Sequence, residues 1–320
     1  MPANEIILFI LFNLFILALL LLDLGILHRT PRAVTIREAA AWTIAWIILA
    51  LLFNLGVFWV AGTTKGLEFL TGYLIERALS MDNIFVFLVI FTYFGVPSRY
   101  QHRILFWGVL GALVLRSVFI ILGAALIAQF EWILYIFGVI LIVSGWKMFS
   151  KTEPEVHPER NIIIRFMKKI FPVTTDYDSP RFVLRRHGKT FITPLFIVLI
   201  TVETTDVVFA VDSIPAVFGV TRDPFIVYSS NVFAILGLRA FYFLLAGVMN
   251  TFYYLSHGLS LVLIFIGAKM LLEPFSVHIS ITLSLLIVTG ILTISIVGSL
   301  IRARRQRRGT PGTRNLRFPE

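Results

Sequence analysis

Seven acidic side chains stand inside stretches otherwise made of Leu, Ile, Val and Phe: Asp23, Glu68, Glu76, Asp82, Glu203, Asp206 and Asp212. At roughly 3 kcal/mol per charge at the centre of a bilayer, seven uncompensated carboxylates cost on the order of 20 kcal/mol, more than a typical folding stability. They must be paired, protonated, hydrated or bound to a cation. Five bases share the same stretches, Arg77, Arg116, Lys147, Arg239 and Lys269. Lys147 and Lys269 lie near stretch ends, where the long stem can carry the ammonium to the interface, so acids outnumber close partners. The chain has no cysteine and six histidines, of which only His257 falls within an apolar stretch. An all-oxygen set of this kind suits a hard divalent cation such as Mn²⁺, Mg²⁺ or Ca²⁺ and disfavours zinc, nickel and copper. The competing reading is structural, with the acids in salt bridges and Arg116 and Arg239 as the counter-ions that lock them.

Helical geometry groups the acids. At 100° per residue, Glu68, Glu76, Ser80 and Asn83 share one face, and Glu203, Asp206 and Ser213 share another. Asp82 and Asp212 fall off these faces. Pro215 deprives the Val211 carbonyl of its helical partner, which predicts an unwound turn over 211–215 that rotates Asp212 inward and frees carbonyl oxygens as ligands. Asp23 is either a first-helix ligand or an interface cap. Ser229, Ser230 and Asn231 are polar enough to add ligands, although hydrogen bonding between helices accounts for them equally well.

These residues need a scaffold, and composition fixes its class. With 58% hydrophobic and 14% charged residues, the 320-residue chain has too little polar surface for a soluble domain. The apolar runs are long and unbroken, which excludes the alternating pattern of a membrane barrel and predicts an all-α membrane protein. Nine runs are long enough to count as spans: about 6–27, 41–61, 67–94, 104–127, 132–149, 191–219, 225–247, 252–272 and 279–300. The first lacks the basic flank and small-residue cleavage site of a signal peptide and is expected to be retained.

Of the 28 Lys and Arg residues, 21 fall in one alternating set of loops and two, Lys65 and Arg222, in the other. That asymmetry predicts a cytoplasmic C-terminus and, with nine crossings, an N-terminus outside. The expected organisation is two helices over 1–65, a three-helix unit over 66–150, a basic cytoplasmic loop over 151–190, a second three-helix unit over 191–273, a last helix over 274–301 and a basic tail over 302–320. Basic and apolar residues over 160–171 read either as a short helix on the anionic inner leaflet or as a solvated linker. The tail reads as a topology anchor, and no nucleic-acid partner is expected.

The two three-helix units resemble each other. At an offset of 124, Asp82 falls on Asp206, Phe85 on Phe209, Ile90 on Ile214, and Phe94-Gly95-Val96 on Phe218-Gly219-Val220. Arg116 and Arg239 correspond within one residue, and Gly145-Trp146-Lys147-Met148 resembles Gly267-Ala268-Lys269-Met270 at an offset of 122. Spans three apart run in opposite directions, so the units form an inverted repeat, the arrangement of many secondary transporters.

The segments 72–83 (Gly-Tyr-Leu-Ile-Glu-Arg-Ala-Leu-Ser-Met-Asp-Asn), 204–216 (Thr-Thr-Asp-Val-Val-Phe-Ala-Val-Asp-Ser-Ile-Pro-Ala) and 223–239 resemble the signature blocks of the TerC family, and Asp23 with His28 and Arg29 fits its first helix. The resemblance covers about residues 20–275. It implies a multi-spanning protein of the bacterial cytoplasmic membrane that exports Mn²⁺, in metal homeostasis or in metal or tellurium resistance. Asp82, Asn83, Asp206, Asp212 and Ser213 are the motif positions implied to hold the ion. Glu76 and Glu203 lie near them and are titratable, which suits protons as the coupling ion, because expelling a divalent ion against 100 mV costs roughly 4.6 kcal/mol. No permanently bound cofactor is expected. Tellurite itself fits poorly, since acids repel an oxyanion and there is no thiol to reduce it. The alternative is a membrane scaffold that docks secretion machinery through the basic loop. Catalysis is not expected, because no Walker loop, dinucleotide fingerprint, HExxH pair or GxSxG elbow is present. A reporter fused after Glu320 is expected to read cytoplasmic and one before Met1 extracytoplasmic; both on one side would overturn the count of nine crossings.

Overall fold

Backbone groups in hydrocarbon must be satisfied within their own segment, and helices dominate accordingly. The computed structural model describes residues 3–27, 35–150, 162–174, 181–186, 189–246, 253–275, 277 and 279–309. The helices are α1 (Ala3–Leu27), α2 (Ile36–Tyr93), α3 (Ser98–Gln129), α4 (Ile133–Ser150), α5 (Ile162–Ile170), α6 (Pro194–Phe218), α7 (Pro224–Leu236), α8 (Leu238–Ala246), α9 (Leu255–Leu272) and α10 (Ile281–Gly309). Six of them are long and apolar enough to cross a bilayer, and α7 with α8, bent by 43°, passes the same test as a pair. The chain is an all-α integral membrane protein that crosses the bilayer several times.

The expected second and third spans, 41–61 and 67–94, are the two limbs of one element, α2, whose 58 residues would extend about 87 Å if straight. It is not straight. Gly62 has φ 88° and ψ 174°, a conformation open essentially only to glycine. Phe53 and Phe69, about 24 Å apart along an unbroken helix, have ring centroids 5.4 Å apart. The limbs on either side of Gly62 therefore fold back on one another. Their seam belongs to an aromatic cluster with Phe12 of α1 and Phe225, Tyr228 and Phe233 of α7. Edge-to-face rings of this kind add to simple area burial, and the Tyr228 hydroxyl donates to Asn13 Oδ1 at 2.7 Å to hold α1 in place.

Glycines set the closest helix contact. A Cβ on Gly267 of α9 would lie 2.5 Å from the Gly138 carbonyl of α4, and one on Gly145 would lie 2.7 Å from the Ser260 carbonyl. The α4 and α9 backbones thus touch through small residues, the interface that association in lipid favours.

The basic loop is folded where it is described. α5 buries Ile164 against Ile192 and Ile197, while Ile163, Phe166 and Ile170 stay exposed. After it come two strands absent from the sequence expectation, β1 (Val183–Arg186) and β2 (Lys189–Ile192), paired antiparallel with Val183 opposite Ile192. Of the two readings of 160–171, the helix is the one formed over Ile162–Ile170. Residues 151–161 and 310–320 lie outside the described residues, and α10 carries the first part of the expected tail as helix. The fold predicts that Gly267→Val, which drives a side chain into the Gly138 carbonyl, lowers stability in detergent by about 1–3 kcal/mol. Gly290→Ala, with open space around its new Cβ, is expected to leave the melting temperature unchanged.

Candidate functional site

The second limb of α2, α3 and α6 meet at a buried charged centre. Arg116 of α3 donates from Nε to Asp206 Oδ2 at 3.2 Å and from Nη2 to Asp206 Oδ1 at 3.0 Å, a two-pronged grip on one carboxylate. Its Nη1 donates to Glu76 Oε1 of α2 and, at 3.2 Å, to Ser213 Oγ of α6. None of the four residues is more than 3% exposed. The planar fork of Arg is the side chain suited to such a grip, and Lys would offer only a point charge.

Local sequence explains the meeting. Glycines on α3 let α6 come close: Gly108 lies against Val202, and a Cβ on Gly111 would collide with the Glu203 carboxylate. Asp206, one turn beyond Glu203, is thereby brought within reach of Arg116. On α2 the spacing of Glu68, Gly72 and Glu76 is four residues each, which aligns them on one face. The gap at Gly72 is filled from α7, where Ser230 Oγ would sit 2.9 Å from an added Cβ.

The centre carries two carboxylates on one guanidinium and so a formal excess of one negative charge. Glu203 stands within electrostatic reach of Asp206. Among the described residues, Glu76 Oε2, Ser80 Oγ, Glu203 Oε2 and Asn231 Nδ2 are buried without a hydrogen-bond partner. Buried polar atoms usually find partners, so these four mark unused binding capacity. No three Asp, Glu or His side chains among the described residues converge closely enough to hold a metal, because the Arg116 guanidinium stands between Glu76 and Asp206.

The other sequence candidates lie elsewhere. Asp82 hydrogen-bonds Ser256 beside the start of α9, and Asp212 accepts from Ser144 Oγ of α4 at 2.6 Å. Asn83 is buried on α2, and the Asp23 side chain lies outside the described residues. The unwound turn expected at 211–215 does not occur. α6 runs unbroken to Phe218 with Pro215 inside it, because a proline in the last turn removes a single backbone bond and leaves those on either side of it intact. Asp212 accordingly faces α4 and is not rotated inward.

Two arrangements were not read from the sequence. Arg77 donates to the Ala234 carbonyl at 3.0 Å and lies 4.2 Å over the Phe241 ring, so it caps α7 where the span bends at Gly237. At one end of the bundle, Lys65 bridges Glu68 at 3.0 Å and Asp223 at 3.1 Å, and Thr221 Oγ1 donates to Glu68 at 2.6 Å. This group lines a cavity of about 1060 Å³ together with Lys269, Arg222 and Glu273. The only signal for it in the sequence was the four-residue spacing that placed Glu68 in line with Glu76.

A multi-pass helical membrane protein with a buried Arg–carboxylate centre is the class these features define. The description of an integral membrane protein of the TerC family matches residues 61–307, and the chain belongs to that family. It is 48% identical over 293 residues to an uncharacterized membrane protein of Myxococcus xanthus, covering 92% of each chain. It is 49% identical over 278 residues to the Escherichia coli K12 protein named "Putative membrane-bound redox modulator Alx", covering 84% of this chain and 86% of that one. A membrane protein of Rickettsia felis is 40% identical over 293 residues. No solved structure matches the chain.

Removing one partner from a buried ion network leaves an uncompensated charge, at a cost of about 3–5 kcal/mol. Arg116→Leu is therefore expected to lower stability by that amount, measured by denaturant unfolding in detergent. Adding Glu76→Gln and Asp206→Asn to it is expected to recover most of the loss.

Proposed function

We propose that the chain is a transporter of a hard divalent cation, with Mn²⁺ efflux from the cytoplasm as its activity. The observation that carries this reading is the buried centre itself: two carboxylates on one guanidinium, with unpartnered oxygens of Glu76, Ser80 and Glu203 beside it. Glu76, Asp206 and Ser213 form the core of the ion path, with Glu203, Asn83, Asp82 and Asp212 as the further oxygen groups along it. Asp82 is held by Ser256 of α9, and Asp212 by Ser144 of α4 with Lys147 within electrostatic reach. Protons are the coupling ion, because outward movement of a divalent charge is uphill by roughly 4.6 kcal/mol per 100 mV.

The same reading takes the chain as nine crossings, counting α1, both limbs of α2 and α7 with α8 as one. It places the N-terminus outside and the C-terminus in the cytoplasm, in a bacterial inner membrane. The α4–α9 seam supports the inverted repeat. Moving Gly138 forward by 122 gives 260, and moving Gly267 back by 122 gives 145, so the Gly138–Gly267 contact maps onto the Gly145–Ser260 contact. A contact that reproduces itself when the halves are exchanged is what a two-fold axis between them requires.

The redox role in the names of the Escherichia coli type of relative has no thiol to act through here, since the chain lacks cysteine. An effect on cellular redox state would run through metal supply. The test is Mn²⁺ movement in proteoliposomes of the purified protein under an imposed pH gradient. Wild type is expected to move the ion, and Asp206→Asn to slow it at least tenfold at equal protein level. Transport at the full wild-type rate in Asp206→Asn, or none in wild type, would count against the assignment.

A further inference from the structure

The charged centre is assembled as if an ion were already in it. Arg116 reaches Glu76, both oxygens of Asp206 and Ser213, which are the groups a divalent cation would engage, and it does so at 2% exposure. We infer that Arg116 is a built-in surrogate for the transported cation: its guanidinium holds the Glu76–Asp206 carboxylates when no ion is bound and must withdraw for an ion to enter. This rests on the transporter reading above and adds to it the device that regulates the site.

Three observations favour exchange over a fixed strut. The match of charge is incomplete, because one guanidinium leaves the pair with a net single negative charge, whereas a divalent ion in its place would leave none. A structural counter-ion would be expected to satisfy its partners, yet Glu76 Oε2 and the neighbouring Ser80 Oγ stay unpaired at full burial. An acceptor for the displaced guanidinium is also at hand. Glu203 lies one turn before Asp206 on α6, its carboxylate rests against Gly111 on the helix that carries Arg116, and its Oε2 has no partner. The long, flexible side chain of Arg116 has several staggered rotamers through which its guanidinium can change acceptors.

The consequence is competition. A centre that holds its own cation keeps the empty carboxylates from standing bare in lipid, and it sets the affinity for the ion below what the same oxygens would give alone. Thermal unfolding of the full-length protein in detergent, followed by its six tryptophans across a MnCl₂ titration, reads this directly. Arg116→Gln is expected to melt earlier than wild type without metal and to be half-saturated by Mn²⁺ at a concentration at least tenfold lower. Arg116→Lys, which keeps the charge without the fork, is expected between the two. Glu203→Gln, which removes the charge that receives the guanidinium, is expected to raise half-saturation.

A wild-type Mn²⁺ shift with unchanged or weaker binding in Arg116→Gln overturns the surrogate and leaves the transporter reading standing. Tighter binding in Arg116→Gln with no shift in wild type supports the surrogate and leaves transport to be decided in proteoliposomes. No shift in either protein defeats both. If Arg116→Gln does not fold, the comparison passes to Arg116→Lys, where binding no tighter than wild type is the overturning result.

Discussion

One constraint governs this protein: a full charge in hydrocarbon has to meet an opposite charge at short range. Arg116 is buried in the middle of a long apolar helix, and its four hydrogen bonds reach two other helices. Those bonds fix the rotation of α2 and α6 about their own axes, since apolar packing in lipid discriminates weakly between one greasy face and another. The glycines of α3 answer the same demand, because only a helix without bulk at Gly108 and Gly111 lets Asp206 come within hydrogen-bonding distance. Packing here is arranged around electrostatics, the reverse of the order usual in a soluble core.

Much of the architecture was legible in the sequence. The boundaries of α4, α6 and α9 match the expected spans within about three residues, whereas α3 begins earlier, at Ser98, and α10 runs on to Gly309, into the expected tail. The faces computed for Glu76 and for Asp206 with Ser213 are those that converge on Arg116, and Asp82 and Asp212, which fell off those faces, lie apart from the centre. Local pattern failed where tertiary structure decides. Gly62 falls between the expected spans 41–61 and 67–94, so the break was legible, but the packing of its two limbs on one another through Phe53 and Phe69 was not. Pro215 carried a strong local signal for unwinding, yet three residues from the helix end the signal has little consequence. The hairpin of β1 and β2 is held by Ile192 packing on Ile164, a contact between the start of the expected span 191–219 and the basic stretch 160–171 that the pattern of either segment alone does not show.

The buried acids show a limit of a different kind. Periodicity places carboxylates on a face, but the identity of their partner is set across helices. Arg116 was visible as a counter-ion, and the sequence had no means of showing that it would take Glu76 and Asp206 together while Asp82 and Asp212 turned to Ser256 and Ser144. The serines are too common in apolar helices to be noticed, since many bond only to the carbonyl four residues earlier, as Ser117 and Ser260 do.

Glu76 and Arg77 are neighbours in the chain but point to different parts of the molecule. One reaches the charged centre, and the other, about 100° round the helix, holds the Ala234 carbonyl at the bend of α7 into α8. A helix is stiff over two residues, so the second limb of α2 acts as a connecting rod between them. Turning it far enough to withdraw Glu76 also draws Arg77 off the carbonyl and loosens the bend. The charged centre and the bend of the broken helix are thus anchored by adjacent residues of one stiff limb.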